Sequence, residues 1–293
     1  MDIRQLRYLV SLSRERHFAR AAEACGVAQP TLSAGLRHLE DELGVPVVER
    51  GNRFKGFTPE GERVLAWAQR ILADCESLEQ ELLRSRKSVR GRLVLGVIPA
   101  ALTMVARLVR ELQARQPGVA VRVLTNRSVG IQRGLDAFEL HAGVTYLDNE
   151  PLIRVRSLPL YQERYVLLAP GGQDLAGRQS IGWAEAAELP LCLMVPEMQN
   201  RRIVDAAFEQ AGAQPVPLME SDSMAAILCQ VREGGSCAVV PDHLLGRLGG
   251  EGLLALPLTA PEIVRTVGLV VADREPTPPL VAELWAVAKT LQP

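Results

Sequence analysis

The segment VAQPTLSAGLRHLEDELG, residues 27–44, contains leucines spaced four, three and four residues apart. This spacing predicts an α-helix with one apolar face. The leucines on that face are Leu32, Leu36, Leu39 and Leu43. Ala28 stands where a capping Ser, Thr or Asp is expected, and Gly35 lies in mid-helix. A helix with these two weaknesses must be stabilised by packing its leucines against neighbouring helices.

The residues around this helix indicate a small head made of three helices and a hairpin. Residues 3–12 carry apolar side chains at helical spacing, and residues 18–25 do so again before Gly26 ends the second helix. Residues 46–58 read as a short strand, a basic turn and a return strand. This order predicts an all-α winged helix-turn-helix domain over residues 1–58.

A long linker helix is predicted over residues 59–90. Pro59 suits its first turn and Thr58 its N-cap. Apolar residues then repeat in steps of four and three, which is typical of a coiled-coil seam. The seam contains Val64, Ala68, Ile71, Cys75, Leu78 and Leu82. The helix either packs on its own domain or pairs with a second copy of the chain, and we favour the dimer.

From residue 91 the pattern changes to alternating short strands and helices, which predicts open parallel α/β sheets. About 200 residues of this pattern are large for a single lobe. Crossovers near residues 160 and 266 divide the domain 91–293 evenly. We therefore expect lobe I at about 91–160 and 266–293, and lobe II at about 161–265.

Composition excludes several classes of function. The formal net charge of −1 argues against sequence-blind coating of nucleic acid. Neither a signal-peptide pattern nor an apolar run of about 18 residues occurs, so we expect a cytoplasmic protein without a membrane span. We find no GxSxG, P-loop, HExxH or strand-following GxGxxG motif. The sequence therefore predicts a non-enzymatic protein without a cofactor.

The five cysteines are scattered and show no metal-ligand spacing with the four histidines. They are Cys25, Cys75, Cys192, Cys229 and Cys237. The last two lie eight residues apart, which allows either a redox switch or plain core packing. We favour core packing, and we expect no metal site.

Three motifs resemble those of the LysR-type transcriptional regulators. They are MDIRQLRYLV, FARAAEACGVAQPTLSAGLRHLEDELGVPVVER and FTPEGERVL. From GRLVLGVIPA onward the chain is similar to the family in arrangement. The resemblance covers essentially the whole chain. It implies a winged-helix DNA reader, a dimerising linker helix and a two-lobed effector domain like that of periplasmic binding proteins.

The same resemblance implies the partners. They are double-stranded operator DNA, a small inducer, a second copy through the linker helix, a homotetramer that bends the operator, and RNA polymerase for an activator. The phrases FELHAGVTYLDNEPL and PEMQNRRI also resemble regulators encoded beside soluble formate dehydrogenase operons. That likeness suggests formate or another short carboxylate as the anionic effector. The alternative is a small-molecule-binding protein of the periplasmic-binding-protein type without a regulatory role.

The DNA contacts are predicted on the face of the residue 27–44 helix that lies opposite its leucines. At about 100° per residue, Pro30 and Arg37 fall on that face, with Thr31 and Ser33 on its flanks and Gln29 at its amino end. The acidic run of residues 40–42 would repel phosphate, so the amino end enters the groove. The resemblance places Gln29, Pro30, Thr31 and Ser33 at the major groove. It places Arg53 of the wing near the minor groove, and it departs at Ala34 and Gly35, so no base contact is expected there.

The effector is expected where helix amino termini gather at the carboxyl ends of strands, because free backbone N–H groups there favour an anion. The candidate residues are Pro99, Ala100, Ala101, Thr103, Ser128, Thr145, Gln199, Asn200 and Ser221. The turn Pro99-Ala100-Ala101 lacks the hydroxyl side chain common in the family. Thr103 one turn later takes its place, or backbone groups suffice. Ser128 and Ser221 are alternatively plain N-caps.

Overall fold

A computed structural model describes residues 1–49, 54–84, 90–171, 175, 177–244 and 252–292. The chain forms two units, Met1–Lys87 and Ser88–Pro293. The first unit contains four helices within its described residues. They are α1 (Ile3–Glu15), α2 (Phe18–Ala24), α3 (Gln29–Leu43) and α4 (Pro59–Arg84). Their buried apolar side chains make one core, which includes Leu9, Leu12, Leu32 and Leu39.

Helix α3 has the weak start that its sequence predicts. Ala28 is its N-cap and makes no side-chain capping bond, while Gly44 ends it in the left-handed conformation at φ 68°. Leu32, Leu36 and Leu39 are buried, but Leu43 is 38% exposed. The prediction that Leu43 belongs to the apolar face is therefore wrong, because the core ends one turn before the helix does.

The segment after α3 forms the base of a wing. Val48 and Phe57 form an antiparallel bridge, and the Glu49 N–H donates to the Gly56 carbonyl at 3.0 Å. The Glu40 carboxylate accepts the N–H groups of Val47 and Val48 at 2.7 and 2.9 Å, which fixes this strand to α3. The predicted DNA contact Arg53 lies outside the described residues.

Helix α4 begins as predicted, because the Thr58 Oγ1 accepts the Gly61 N–H at 2.9 Å. The first half of the proposed seam packs within its own unit. Ala68 is fully buried in the core of its own unit, and Val64 and Ile71 pack against that core. The prediction that Ala68 faces a second chain is therefore wrong, because intramolecular packing and a coiled coil use the same helical period.

The second unit contains ten strands within its described residues. They are β1 (Gly91–Val97), β2 (Val119–Thr125), β3 (Ala142–Tyr146), β4 (Val155–Pro170), β5 (Ile181–Gly182), β6 (Leu191–Met194), β7 (Met219–Ser221), β8 (Cys237–Pro241), β9 (Leu253–Thr259) and β10 (Val264–Ala272). The main order is β2-β1-β3-β10-β4-β8-β6-β7, while β9 pairs with β4 and β5. The sheet has two lobes, with β1, β2 and β3 in lobe I and β6, β7 and β8 in lobe II.

The helices within the described residues of this unit follow the strands. They are α5 (Leu102–Arg115), α6 (Ser128–Asp136), α7 (Trp183–Ala186), α8 (Gln199–Gln210), α9 (Met224–Glu233) and α10 (Pro279–Lys289). Two 3₁₀ turns, Pro99–Ala101 and Asp242–Leu244, follow β1 and β8. The long strand β4 joins the lobes, because its first half pairs with β10 and its second half with β8 and β9.

The sheet is mixed, which corrects the prediction of parallel sheets. Within each lobe the strands before helices are parallel, but β10 runs antiparallel to both β3 and β4. From the sequence we expect a crossover near residue 266 but name neither β9 nor β10 as a strand. The lobe bounds near residues 160 and 266 stay a prediction.

Candidate DNA interface and effector cavity

The predicted DNA-reading face of α3 is open to solvent. Gln29, Pro30, Thr31 and Arg37 are exposed, and Ser33 is half-buried. Within the described residues Arg37 forms no ion pair, so its guanidinium is available for a phosphate or a guanine. These side chains lie in the first two and a half turns of the helix, on the side away from Leu32 and Leu36.

Residues near the acidic end of α3 make contacts within the head that the sequence did not predict. Glu40 holds the wing strand, and the Glu42 carboxylate lies 2.5 Å from the amino terminus of Met1. His38 Nδ1 lies 2.9 Å from the Gln5 Nε2 and so links α3 to α1. Asp41 remains exposed at this end. Two of the three acidic residues thus make contacts within the head, while the orientation of the helix on DNA by phosphate repulsion stays a prediction.

A small cavity lies between the two lobes, where four helical segments begin. The space in it that a water-sized molecule can occupy is about 10 Å³. Its walls contain residues at the starts of the first 3₁₀ turn, α6, α8 and α9. The lining residues are Ile98, Pro99, Ala100, Arg127, Ser128, Tyr146, Met194, Met198, Gln199, Asn200 and Met224. None of these carries a carboxylate, and Arg127 supplies a cationic side chain.

Five of the nine predicted effector residues line this cavity, namely Pro99, Ala100, Ser128, Gln199 and Asn200. The other four do not. Thr145 is fully buried behind the wall, where its Oγ1 lies 2.9 Å from the Ser128 Oγ. Ser221 accepts the Ser223 N–H at 3.1 Å and shapes the turn before α9. Ala101 packs in the core, and Thr103 lies on α5 outside the lining of the cavity.

The polar side chains of the wall form two hydrogen-bonded groups. Ser128 donates to the Gln199 Oε1, and the Gln199 amide donates to the Asn149 carbonyl. Asn200 donates to the Tyr146 hydroxyl at 3.1 Å. Because these side chains already hold one another, the backbone N–H groups of the helix starts remain the natural donors to a ligand.

Two arginines near the cavity pair with carboxylates outside its lining. Arg201 donates to Asp205 at 2.7 Å and to the Met194 carbonyl at 2.7 Å, and it also pairs with Glu220. Arg202 makes two bonds to Glu150, at 2.7 and 2.5 Å. Their positive charges are thus largely compensated by neighbouring carboxylates.

Comparisons with known proteins decide the family. Residues 3–62 match the model described as the bacterial regulatory helix-turn-helix protein, lysR family, and residues 86–292 match the LysR substrate binding domain. The chain belongs to the LysR family of transcriptional regulators. It is a DNA-binding regulator with a winged helix-turn-helix head and a two-lobed effector domain.

The relatives of this LysR-family regulator include peroxide-responsive proteins. The DNA-binding transcriptional dual regulator OxyR of Escherichia coli is 30% identical over 281 residues, which cover 94% of this chain and 91% of that protein. The hydrogen peroxide-inducible genes activator of Haemophilus influenzae is 29% identical, with 94% and 92% covered.

Solved structures agree on the fold. A full-length OxyR variant from Pseudomonas aeruginosa, in which an aspartate replaces a cysteine, superimposes with a TM-score of 0.79 at 27% identity, covering 99% of this chain and 95% of that one. CbnR in complex with its target DNA gives 0.68 at 20% identity, covering 99% and 100%. Among the described residues, no helix is both long and apolar enough to cross a membrane.

No thiol of the described chain lines the cavity of this LysR-family regulator. Cys192 and Cys237 are fully buried in neighbouring strands, and burial raises the pKa of Cys237 to about 11. Cys25 and Cys75 lie in the other unit, and Cys229 is exposed on α9. Reaction with peroxide needs an accessible thiolate of low pKa, which the cavity wall does not provide.

Gly35 has a packing reason for its place in α3. A Cβ atom there would lie 2.8 Å from the Cδ2 and Cε2 atoms of Tyr8 on α1. We expect Gly35→Ala to destabilise the head by about 1 kcal/mol, since overpacking outweighs the gain in helix propensity. In a Tyr8→Ala background the same change should be stabilising. Thermal unfolding of the four proteins of this cycle measures the coupling, and additive effects would contradict the contact.

Proposed function

We propose that this regulator binds its operator through the first turns of α3 and responds to a small anion held between the lobes. Formate or another short carboxylate is the effector class that we favour. The convergence of four helix starts on a cavity lined by no carboxylate is the observation that carries this proposal. The binding-protein alternative without a regulatory role is set aside by the family of the head domain.

The electrostatics of the cavity favour an anion over a cation. The starts of α6, α8 and α9 leave backbone N–H groups without intrahelical partners, and each carries about half a positive charge. Arg127 adds a side chain of the same sign. The cavity has about 10 Å³ of space for a water-sized molecule, so it suits at most a ligand of very few heavy atoms.

We infer that the active form is an oligomer. The second half of α4 exposes Leu78 and Leu82, together with Trp67 on an earlier turn, so we propose a dimer interface there that also includes Cys75. The edge strands β2 and β7 end the sheet, and Leu218 beside β7 is also exposed. Two separate surfaces are what a tetramer needs.

An effector that changes the angle between the lobes would then alter operator bending, and RNA polymerase is the partner for an activator.

The operator contacts can be tested on DNA from upstream of the gene. We expect Arg37→Ala to weaken binding about tenfold and to lower the slope of log K against log salt by about one, if Arg37 binds phosphate. Gln29→Ala should instead reduce discrimination between operator variants. Arg63→Ala is the matched control, because Arg63 is also an exposed arginine, in α4, that pairs with Glu60 at 2.8 Å. Equal loss in the control would remove α3 from the model.

The effector class can be tested by placing a charge in the cavity. Asn200→Asp keeps the shape of the side chain and adds one negative charge to the wall. We expect it to weaken formate binding at least about tenfold, measured by calorimetry, because the anion would face a carboxylate. Gln210→Glu makes the same chemical change at the exposed end of α8 and should leave formate affinity unchanged. Undetectable formate binding to the unmodified protein, or a response to peroxide alone, would refute the anion proposal.

A further inference from the structure

A carboxyl group lies fully buried behind the effector cavity. Glu163 stands on β4, which joins the two lobes, and its side chain is 0% exposed. The Glu163 Oε1 accepts hydrogen bonds from the Tyr146 hydroxyl at 2.6 Å and from the Tyr165 hydroxyl at 3.2 Å. Within the described residues, Oε2 accepts no hydrogen bond. A buried acid of this kind is rarely retained without a partner that shares its charge.

The second oxygen faces a histidine that reaches from one lobe to the other. His243 belongs to the 3₁₀ turn after β8, and its Nδ1 lies 3.8 Å from the Glu163 Oε2. On the other side of the ring, Nε2 lies 3.0 Å from the carbonyl oxygen of Ala100, in the turn after β1. The ring of Tyr161 packs edge-on against the imidazole with 4.8 Å between centroids.

The hydrogen-bonding roles of these atoms require one proton between the two side chains. The Ala100 carbonyl only accepts, so the His243 Nε2 carries a hydrogen and donates it. In a neutral ring Nδ1 is then an acceptor, and it faces an ionised carboxylate that is also an acceptor. Two acceptors facing each other in a dry interior repel. A proton on the Glu163 carboxyl removes that repulsion, because the protonated oxygen becomes a donor.

This pair is connected to three parts of the cavity wall. Ala100 is bonded to His243, Tyr146 is bonded to Glu163, and Asn200 donates to Tyr146. All three line the cavity. The position of the shared proton therefore bears on the direction of the Tyr146 hydroxyl and the Asn200 amide. Glu163 and His243 are positioning residues, since neither lines the cavity itself.

Burial and two nearby carboxylates favour the protonated pair, while two tyrosine hydroxyls oppose it in part. Tyr146 on β3 and Tyr165 on β4 donate to Glu163, Asp242 precedes His243 in its turn, and Asp148 follows β3. Arg265 on β10 is the cross-strand neighbour of Glu163. Burial raises the pKa of Glu163 to about 7; the two tyrosine hydroxyls lower it in part, and the charges of Asp242 and Asp148 raise it.

We propose that Glu163 and His243 hold one proton between the lobes. We further propose that binding of an anion in the cavity raises the affinity of this pair for the proton. The inference rests on the proposed function only where it names an anion as the ligand. An anion near the pair disfavours its ionised, proton-free form, so binding takes up a proton. By reciprocity, the anion binds more tightly at low pH.

The proton itself can be followed without any ligand. Infrared difference spectra of the full-length protein between about pH 5.5 and pH 8.5 should show the C=O stretch of a protonated carboxyl that disappears near pH 7. We expect the band to be absent in Glu163→Gln and retained in the control Glu262→Gln, whose carboxyl is exposed and paired with Arg164 at 3.3 Å. His243→Asn should move its midpoint upward, because the carboxylate loses its basic partner. A missing band, or a midpoint unchanged in His243→Asn, would overturn the pair.

The linkage is measured by formate titrations at the two pH values. We expect formate affinity to fall about tenfold from pH 5.5 to 8.5 in the unmodified protein and in Glu262→Gln, and to fall much less in Glu163→Gln. Formate that binds with the same affinity at both pH values overturns the linkage. Absence of formate binding at both pH values refutes the proposed effector class and with it the linkage to an anion, whereas the infrared titration still decides the proton pair.

Discussion

Gly61→Ala should abolish operator binding and unfold the DNA-binding head while leaving the effector domain folded. A Cβ atom at Gly61 would lie 2.0 Å from the carbonyl oxygen of Val47 and 2.8 Å from its carbonyl carbon. These are backbone atoms, so no rotamer change relieves the overlap. Overpacking commonly costs about 1–3 kcal/mol, and a backbone clash of this size should cost more than about 3 kcal/mol.

Val47 cannot move away without further losses. Its carbonyl accepts the Thr58 N–H at 3.0 Å, and its own N–H donates to Glu40 at 2.7 Å. Displacing this strand would therefore break the contacts that join the wing to α3 and to the start of α4. The effect should reach the DNA-reading residues even though none of them touches Gly61.

Gly56→Ala is the matched control in the same wing. A Cβ there would approach only the Glu49 carboxylate, at 3.6 Å, which is an ordinary contact. Thermal unfolding should show loss of the head transition in Gly61→Ala alone, with the effector-domain transition unchanged in both variants. If Gly61→Ala and Gly56→Ala bind the operator equally well, the Val47 carbonyl does not lie against Gly61.

Periodicity predicted which faces of the helices are apolar, but it did not identify what covers them. The leucines of α3 and the residues of α4 both follow helical spacing. Leu32 and Ala68 pack inside the head, whereas Leu78 and Leu82 are exposed. The heptad pattern is the same along all of α4, so sequence spacing alone does not separate the half that packs inward from the half proposed to pair with another copy.

The effector cavity was predictable in outline because helix starts after parallel strands meet at one edge. The buried carboxyl group of Glu163 behind the cavity was not predictable. Leu158 and Leu160 are buried on β4, and strict alternation would place Gln162 inside and Glu163 outside. A register shift opposite Val267 and Gly268 reverses the alternation. The bulge turns Glu163 inward, and no local sequence feature predicts this bulge.

The side chains of the cavity wall bear on the question of which effector this chain binds. The regulators of Escherichia coli and Haemophilus influenzae are named for hydrogen peroxide, yet the cavity wall described here carries no thiol. Shared architecture gives these proteins the same two lobes, while the side chains between the lobes determine the chemistry of a ligand bound there. The helix starts, amides and hydroxyls of this wall are the basis of our proposal that the cavity binds an anion.

Glu163→Gln should make the effector domain more stable than the unmodified protein above pH 8 and no more stable below pH 5. Burial raises the pKa of this carboxyl from an ordinary value of 4.5 to about 7. A group whose pKa is raised on folding stabilises the fold below its unfolded pKa, and this contribution is lost as the pH rises through the folded value. The shift of about 2.5 units corresponds to a loss on the order of 3 kcal/mol between pH 5 and pH 9.

The glutamine side chain carries no charge at either pH, so it avoids the cost of burying a carboxylate at high pH. Its amide oxygen still accepts hydrogen bonds from the Tyr146 and Tyr165 hydroxyls, which preserves most of the local geometry. Urea unfolding of the full-length protein at pH 5, 7 and 9, with Glu262→Gln as the exposed control, measures the difference. The stability curves of Glu163→Gln and the unmodified protein should converge at pH 5 and separate at pH 9. Parallel curves would mean that Glu163 does not change its protonation state in this range.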